Sequence, residues 1–344
     1  MALEIINPIT YPDWDNLILA TVEHSFFHTS PWANVLFESY QFKPLYFSEL
    51  GTDHVSLLIP LMEVNSLITG KRGISLPFSD FCNPIIHQDS KWQDALSTIF
   101  EYGKDAGWKY VEFRGDEIHL QNEIPAQSFY EHSLELCKDE NKIFKNIRES
   151  TKRNIRKAER EGVTIKIRHD QASVEQYYHL HCITRKRHGV PPQPFVFFKK
   201  IYENILSENL GFIILAYHSN EIIAGAVYFH FGEKALFKFG ASKKEYLNLR
   251  PNDLVMWEAI KWYCQKGFKT LSFGRTEIEN EGLRNFKKGW GSKERLINYF
   301  KYDFSQKTFI QDKPHLGLIQ KTIFQHSPLA VLKIFGSLLY KHIA

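Results

Sequence analysis

The sequence lacks several features that would place the chain among membrane or secreted proteins. It has no run of 18 apolar residues, so no segment is expected to span a bilayer. The first residues, MALEIINPITYPDW, show neither a basic region nor an apolar core, so we expect no signal peptide. The four cysteines lie far apart and form neither a CxxC pair nor a zinc-binding spacing. A reducing cytoplasm is therefore the expected compartment.

Signatures of several common chemistries are missing as well. The sequence contains no HExxH motif and no Walker loop. His179 and His181 are only two residues apart, so on a helix they would point to different sides and would be poor metal partners. We therefore expect neither a bound metal ion nor a redox cofactor.

The composition of the chain is typical of a globular protein with two domains. Of its 344 residues, 43% are hydrophobic and 24% are charged, a balance that excludes a disordered chain. Domains of about 150 residues are common, so two domains are expected. The net charge of +4 is small, and its distribution is more informative than its size.

The most informative pattern is an internal repeat. Residues 106–114 read AGWKYVEFR and residues 266–274 read KGFKTLSFG, which sets Gly107 and Gly267 160 positions apart. Each copy follows a helix-like stretch, and ahead of each helix stand two strand-like runs. These runs are VSLLIPL with GISLPF in the first copy and IIAGAVYF with ALFKFGA in the second. The repeat predicts a duplicated domain, and we expect a binding cleft between the two copies.

The repeat also suggests domain boundaries. We place an N-terminal lobe at 1–140, a C-terminal lobe at 141–310 and an amphipathic helical tail at 311–344. A predicted helix in the tail starts at Ser327-Pro328, and its apolar residues share one face: Leu329, Leu332, Phe335, Leu338 and Leu339. This helix either packs on the body of the protein or lies on a membrane surface.

Positive charge is concentrated in one part of the second lobe. Between Lys142 and Arg168 there are ten Lys or Arg and three Glu, a local balance of +7. Residues 142–162 read as a helix, and the four-residue spacing of its cations makes one face almost entirely positive. Such a helix is either simply solvated or binds the phosphates of a nucleotide-sugar, a polyprenyl carrier or tRNA.

Several stretches together resemble the FemABX family of tandem-GNAT acyltransferases, which includes the aminoacyl transferases that build cell-wall interpeptide bridges. The stretches are SFFHTSPWANVL (25–36), SLPFSDFCNP (75–84), STKRNIRKAEREGV (150–163), RPNDLVMWEAI (250–260) and GLRNFKKGWG (282–291). The resemblance covers nearly the whole chain. It implies an α+β fold of two tandem GNAT-like (acyl-CoA N-acyltransferase-like) lobes, each a mixed, mostly antiparallel sheet flanked by helices.

The resemblance also implies site residues. The stretch FKKGWG (286–291) resembles a family turn whose lysine reaches the active site, so Lys287 is our candidate for stabilising the reaction's oxyanion. Read without the resemblance, Lys287 could be an ordinary solvent-exposed lysine. The family's matching region also helps to bind the phosphorylated acceptor, so Lys152, Arg153 and Arg156 are the expected phosphate contacts.

Two further candidates lie near predicted strand ends. Asp80 could accept a proton from the attacking amine or orient the acceptor, and it could equally be a turn residue ahead of Asn83. Arg275 follows the repeated strand of the second lobe and is a candidate for binding the substrate in the cleft.

The turn before the second repeated helix departs from the usual GNAT pattern. Ordinary GNAT enzymes hold the pyrophosphate of coenzyme A on a glycine-rich turn at a helix N-terminus. The equivalent residues 249–253 (LRPND) contain no glycine, and Pro251 lacks an N–H donor. Arg250 and Asn252 are our donor-binding candidates, and the alternative is plain helix capping by Asn252 or Asp253.

We therefore expect an acyltransferase that moves an aminoacyl or acyl group onto an amine of a cell-wall or polysaccharide precursor. The donor is a co-substrate, either aminoacyl-tRNA or acyl-CoA, and the acceptor is a phosphorylated envelope precursor or an amino sugar. The expected location is the cytoplasm or the inner face of the membrane, which the tail helix could contact. Two alternatives stay open. One is an N-acyltransferase that uses acyl-CoA or acyl carrier protein on an amino sugar or amino acid, and the other is a non-catalytic module that binds tRNA or lipid.

Overall fold

The structure is a computed structural model that describes residues 3–51, 54–87, 91–115, 119–312 and 318–343. Within the last of these ranges, only the backbone is described for residues 318–321. Residues 313–317 and 344 of the predicted tail thus lie outside the described residues. The chain divides into two compact units, each assembled from segments that are distant in sequence. Unit 1 comprises Met1–Phe129, Leu296–His315 and Leu338–Ala344, and unit 2 comprises Tyr130–Arg295 and Leu316–Ser337.

The first part of the chain supplies most of unit 1. Its strands are β1 (Glu4–Ile6), β2 (Lys43–Leu50), β3 (Val55–Ser66), β4 (Gly70–Ile74), β5 (Ile85–Ile86) and β6 (Tyr110–Arg114). Its helices are α1 (Trp14–Leu19), α2 (Ser30–Tyr40) and α3 (Trp92–Asp105). The strands β1 to β4 follow one another in antiparallel order, and β6 then joins β4 in parallel.

The middle of the chain builds unit 2. Its strands are β7 (Gln127–Glu135), β8 (Thr164–Arg168), β9 (Gly211–His218), β10 (Glu221–Phe231), β11 (Lys234–Ser242) and β12 (Thr270–Glu277). Its helices are α4 (Glu140–Asn146), α5 (Glu149–Arg160), α6 (Gln171–Arg187), α7 (Phe195–Ile201), α8 (Pro251–Lys266) and α9 (Glu281–Lys288). The strand order in this unit is β7-β12-β11-β10-β9-β8.

The last elements return to both units. They are β13 (Lys293–Asp303), β14 (Thr308–Phe309), α10 (Leu318–His326) and α11 (Leu329–Leu339). In unit 1, β13 pairs antiparallel with β6, from Tyr299 with Arg114 to Asp303 with Tyr110. The sequence analysis placed one boundary after residue 140, whereas the structure crosses into unit 2 after residue 129 and returns residues 296–315 to unit 1 because of this pairing.

The two units repeat one topology. In unit 1, β2, β3 and β4 are antiparallel neighbours, α3 follows, and β6 adds to β4 in parallel. In unit 2, β9, β10 and β11 are antiparallel neighbours, α8 follows, and β12 adds to β11 in parallel. The predicted fold class of two GNAT-like lobes is therefore confirmed, as are the helices expected before Gly107 and Gly267.

Each sheet carries its own apolar core. In unit 1, α3 buries Trp92, Leu96 and Ile99 at helical spacing against the sheet. In unit 2, α8 is apolar on most of its circumference, and it buries residues such as Tyr263 and Ile260. Each large apolar side chain buried in this way stabilises the fold by about 1.5–3 kcal/mol.

The structure corrects two of the predicted elements. The basic stretch 142–162 is not one helix, because the extended residues Ile147 and Arg148 separate α4 from α5. Ile147 is buried there, and the Arg148 N–H donates to the Gly289 carbonyl at 2.9 Å. The predicted strand 73–78 ends at Ile74, because the following turn places Leu76 and Phe78 at positive φ.

Candidate active site

The strands β11 and β12 part after three residue pairs, and the opening lies in unit 2. Their parallel register runs from Lys234 with Thr270 to Leu236 with Ser272. Beyond this point β11 continues to Ser242 with β10 as its neighbour. A bulge at Lys238 bends β11 just past the point of separation, since Val227 pairs with Phe239 and Tyr228 with Phe237.

A cavity of about 560 Å³ lies beside the part of β11 that follows this point. Its wall is formed by the free part of β11, by β10, by the first turns of α8, by the end of α6 and by α9 with the residues just before it. The lining residues are Thr184, Arg187, His188, Gly225, Ala226, Tyr228, Phe237, Gly240, Ala241, Ser242, Asn252, Val255, Met256, Asn280, Gly282, Leu283 and Phe286. Such a cavity, mostly apolar with a few polar groups, has the size of a small-molecule or acyl-group site.

The polar groups of the cavity are tied to Ser242 at the end of β11. Arg187 Nη1 donates to the Ser242 carbonyl at 3.0 Å, and Thr184 Oγ1 donates to the same oxygen at 3.2 Å. The donor-binding candidate Asn252 contacts Ser242 Oγ through Nδ2 at 3.5 Å. The cavity therefore has a polar corner at Ser242.

The N-terminus of α8 differs from the capping alternative of the sequence analysis. Arg250 is the N-cap, with φ 61°, and Pro251 is the first helical residue, so capping by Asn252 or Asp253 is wrong. Proline suits that position because its missing N–H would have no partner there. Arg250 itself is exposed. Asp253 is buried in the first turn, where Asn154 Nδ2 donates to its carboxylate at 3.3 Å, and burial raises its pKa to about 6.

The Lys287 amine lies at the carboxyl-terminal end of β12. Its Nζ donates to the carbonyl oxygens of Gly274 and Arg275, each at 2.9 Å, and only 2% of the residue is exposed. Consecutive carbonyls normally point to opposite sides of a strand. Gly274 has a φ of +68°, and this left-handed residue changes the direction of the backbone at the point where the lysine binds it. Lys287 is therefore a buried, positioned residue, and the reading as a solvent lysine is wrong.

The turn that follows Lys287 packs against the start of α5. A Cβ atom on Gly289 would lie 2.6 Å from Thr151 Oγ1, so any larger residue here would force this contact to shift. Gly291, with φ 76°, lies against the Asn146 carbonyl, and the intervening Trp290 is completely buried. Two separate motifs of the sequence, 150–163 and 282–291, thus meet in unit 2.

Comparison with known proteins agrees with this architecture. The family model described as "Acetyltransferase (GNAT) domain" matches residues 145–288, from the end of α4 to the end of α9. The chain is 30% identical over 115 residues to a Lipid II:glycine glycyltransferase of Staphylococcus haemolyticus. The aligned segment covers 31% of this chain and 26% of that protein. The crystal structure of FemX superimposes with a TM-score of 0.69 at 13% identity and covers 89% of this chain and 98% of that one. The chain is therefore similar to the FemABX-like tandem GNAT proteins.

The extent of these matches differs. The sequence match spans about a quarter of the length of the curated relative, whereas the FemX fold extends over nearly the whole of this FemABX-like chain. The structure of L-PGS from Bacillus licheniformis also has the fold, with a TM-score of 0.52 at 12% identity over 85% of this chain and 91% of that one.

The three predicted phosphate contacts on α5 occupy different environments. Lys152 is buried, and its Nζ donates to the Lys145 carbonyl at 3.1 Å and to Glu149 at 2.7 Å. Arg153 and Arg156 are exposed, and the Arg156 guanidinium also lies 5.9 Å from the centre of the Phe144 ring. The structure of this FemABX-like chain thus distinguishes an inward lysine from two outward arginines, and the phosphate-binding role of all three stays a prediction.

A cluster of charges lies next to Lys287. Glu294 accepts hydrogen bonds from Arg284 and pairs with Lys288 at 2.7 Å, and these partners lower its pKa to about 2 against the effect of burial. His132 Nε2 lies 2.9 Å from the same carboxylate. Burial first, and then the nearby Lys287 ammonium, lower the pKa of His132 to about 4, so the imidazole is neutral near pH 7. Sequence reasoning missed this cluster because its members come from three separate elements.

Asp80 lies in unit 1, in the loop between β4 and β5 rather than at a strand end. The buried Arg114 holds this loop by donating through Nη1 to the carbonyls of Leu76 at 3.1 Å and Ser79 at 3.4 Å. The Tyr299 hydroxyl donates to the Asp80 carbonyl at 2.5 Å. The backbone at Asp80 is therefore fixed, while the predicted role of its carboxylate is untested.

Two other arginines also belong to this part of unit 2, one of them predicted as a site residue and one not. Arg275 is half-buried on β12, and its carbonyl is one of the two that bind Lys287. Arg187 was not predicted, although it belongs to the basic run RKRH at the end of α6 and lines the cavity. The run itself is a visible signal, but nothing in the sequence shows that β11 bends toward it. In the part of the chain that the structure describes, no group of three His, Cys, Asp or Glu residues could hold a metal ion.

Proposed function

We propose that the chain is an N-acyltransferase that transfers an aminoacyl group onto an amine of a cell-wall precursor. The observation that carries the proposal is the buried Lys287 ammonium, held by two carbonyls at the end of the strand that diverges from β11. The match to the GNAT domain and the likeness to glycyltransferases support the class of reaction.

The reaction needs little covalent chemistry from the protein. A neutral acceptor amine attacks the ester carbonyl of the donor and forms a C–N bond, and the electron pair of the C=O bond moves to oxygen. Collapse of this intermediate breaks the C–O bond to the donor's ribose, and the amine proton leaves with the alcohol or with solvent. A fixed ammonium such as that of Lys287 stabilises the oxyanion, because preorganised charge in a site shielded from water is effective.

We propose aminoacyl-tRNA rather than acyl-CoA as the donor. A diphosphate at the N-terminus of α8 would meet Pro251, which has no N–H to donate, and the buried carboxyl of Asp253. A second anion beside Asp253 is unfavourable once that carboxyl is ionised. The exposed Arg250 remains a candidate for contacting a phosphate of either donor, and the cavity could hold the acyl group.

We also propose a phosphorylated, lipid-linked precursor as the acceptor. The relatives in the Staphylococcus species are described as acting on lipid II, and Arg153 with Arg156 could bind the phosphates of such a carrier. In this proposal the chain works in the cytoplasm at the inner face of the membrane. Among the described residues, no helix is long and apolar enough to cross that membrane.

The test is transfer of radiolabelled amino acid from a mixture of charged tRNAs to lipid II. Lys287→Met should lower turnover at least about tenfold, roughly 1.4 kcal/mol of activation free energy. Lys288→Met is the matched control, because Lys288 is the next residue on α9 but is half-exposed and pairs with Glu294. We expect the control to keep most of the activity.

Stability must be measured in parallel with turnover. Removing the Lys287 amine leaves two carbonyls without their donor, which costs about 1–3 kcal/mol of unfolding free energy. A folded Lys287→Met protein with normal turnover would remove Lys287 from the mechanism. Micromolar binding of coenzyme A in a calorimetric titration would instead favour the acyl-CoA alternative.

A further inference from the structure

Helix α11 carries apolar residues on two opposite sides. One side packs on unit 2, where Leu332 is completely buried. Gly336 on this side approaches the backbone so closely that a Cβ atom would lie 2.0 Å from the Pro192 carbonyl oxygen. The sequence analysis placed Leu332 and Phe335 on one face, whereas the structure buries Leu332 and exposes Phe335. The packed side therefore accounts for only part of the helix's apolar surface.

The other side of α11 is an exposed apolar stripe. Val331, Ile334, Phe335 and Leu338 follow the i, i+3, i+4, i+7 spacing of one helix face, and all four are exposed. We call these four residues the outer face of α11. The Phe335 ring lies 6.0 Å from that of Phe324 on α10, where Ile323 is exposed as well. A helix that is apolar on both sides needs a second apolar environment besides the protein core.

A second apolar feature lies beside the residues that follow α11. The turn between β3 and β4 exposes Leu67 fully and Ile68 by 68%. The same turn holds His342: Ser66 Oγ lies 2.8 Å from its Nδ1, and its carbonyl accepts from Thr69 Oγ1 at 2.9 Å and from Arg72 Nη2 at 2.7 Å. The exposed Ile343 follows directly. These hydrogen bonds fix the end of the chain next to the exposed turn.

The charge of this part of the chain has one sign. Residues 313–344 contain four lysines and no Asp or Glu. Lys333 and Lys341 are exposed, and the Lys333 ammonium lies 5.4 Å from the centre of the Tyr178 ring. An exposed apolar face in a segment that carries only positive charge complements an anionic lipid bilayer, whose headgroups are negative and whose interior is apolar.

We propose that the outer face of α11 docks on an anionic membrane surface. The apolar side chains enter the boundary between headgroups and acyl chains, and Lys333 and Lys341 meet the headgroup phosphates. The inference rests on the proposed work at the inner face of the membrane and assigns residues to it. A long aliphatic lysine stem can lie along the apolar surface while its ammonium stays among the phosphates.

The experiment is cosedimentation of the full chain with vesicles, without donor or acceptor. Vesicles of equal parts phosphatidylglycerol and phosphatidylcholine should bind the chain at least about tenfold more tightly than phosphatidylcholine alone. The double variant Ile334→Ser/Leu338→Ser removes side chains that are 61% and 57% exposed. It should bind the anionic vesicles at least about tenfold more weakly while its thermal unfolding is unchanged.

The control is Val22→Ser/Ile124→Ser, which removes apolar side chains that are 79% and 60% exposed elsewhere on unit 1. It should bind anionic vesicles as the unchanged chain does. Equal binding by the α11 variant, or no binding by the full chain, overturns the proposal. A dimer in sedimentation equilibrium that the α11 variant dissociates also overturns it, since a second copy then covers the face. Failed amino-acid transfer with intact vesicle binding would count against the proposed function alone.

Discussion

At the scale of single residues, the ninth position of the internal repeat explains why the two units differ. The repeat aligns Arg114 with Gly274. In unit 1 the arginine turns back to Glu112, with its Nε donating at 2.8 Å, and holds the loop of Asp80. In unit 2 the glycine adopts a positive φ, and its carbonyl receives the Lys287 amine. At this repeat position, Arg114 therefore has a structural role in unit 1, whereas Gly274 binds the candidate catalytic lysine in unit 2.

Asp253 gives a prediction about pH. Its pKa rises from 3.8 to about 6 because burial disfavours the carboxylate. Between about pH 4 and pH 6 the folded protein therefore holds a proton that the unfolded chain has lost, so this group's contribution to stability falls as the pH rises through that window. Asp253→Asn should remove this pH-dependent loss of unfolding free energy. The loss is on the order of 2–3 kcal/mol, because a difference of one pKa unit corresponds to about 1.4 kcal/mol.

The measurement for Asp253 is the free energy of unfolding in urea from pH 4 to pH 7 for both proteins. The asparagine variant should gain stability relative to the parent as the pH rises and reach a constant difference above about pH 6. Asn154 can still donate to the amide oxygen of an asparagine at this position. A difference that does not change with pH would contradict the raised pKa.

At the scale of elements, the contact between α9 and α5 is the feature most sensitive to a single methyl group. Gly289→Ala places a Cβ atom 2.6 Å from Thr151 Oγ1, although the φ of −59° at this position suits alanine. We expect a loss of about 1–3 kcal/mol in unfolding free energy through overpacking. Adding Thr151→Ala should recover part of that loss, because the closest atom is removed.

Gly282→Ala is the matched control on the same helix. Its Cβ atom would have Asn280 Oδ1 as its nearest neighbour at 3.9 Å, which is ordinary contact. Alanine is the better helix former, so this variant should be neutral or more stable by up to about 1 kcal/mol. Urea denaturation gives the unfolding free energies of the parent, the two single glycine variants and the Gly289→Ala/Thr151→Ala double variant. Equal stability of the two glycine variants would show that the turn can relax away from α5.

Elements with strong periodicity could be predicted from the sequence, and their junctions could not. The helices α3 and α8 and the strands around them have apolar patterns and glycine stops that local rules recognise. The break between α4 and α5 depends on the hydrogen bond from Arg148 to Gly289, a residue 141 positions away. The burial of Lys152 depends on the same junction, since its ammonium donates to Lys145 on α4. Charge periodicity alone therefore overestimated the cationic face.

The candidate site could be predicted in part. Lys287 and Asn252 were found from their resemblance to family motifs. In the structure the Lys287 amine is buried, and Asn252 lies in the cavity wall. The cavity itself could not be predicted, because its lining residues come from β10, β11, α6, α8 and α9, which are far apart in the sequence. Local apolar patterns do not show which of these elements meet.

At the scale of the whole molecule, charge is distributed unevenly. The chain has a net charge of +4, and residues 142–168 alone carry +7, so the remainder sums to −3. Binding to tRNA should therefore depend on this one region. Arg153→Ala/Arg156→Ala should reduce the slope of log K against log salt by about 1.5, because two phosphate contacts are lost.

Lys152→Met tests the third predicted phosphate contact separately. Its ammonium already donates to Lys145 and Glu149, so its removal should lower thermal stability and leave the salt slope unchanged. Gel shifts with unfractionated tRNA at several salt concentrations give the slopes. An unchanged slope in the double arginine variant would exclude the exposed face of α5 as the tRNA contact.

The pairing of β13 with β6 has a consequence for synthesis of the protein. Among the described residues, the other strand partner of β6 is β4, which precedes it in the chain, whereas Tyr299–Asp303 comes almost two hundred residues later. While the ribosome makes unit 2, the first sheet has an open edge at Tyr110–Arg114 whose backbone groups lack their final partner. We expect the nascent chain to need protection from aggregation at this edge, and to lose that need when residue 303 emerges from the exit tunnel.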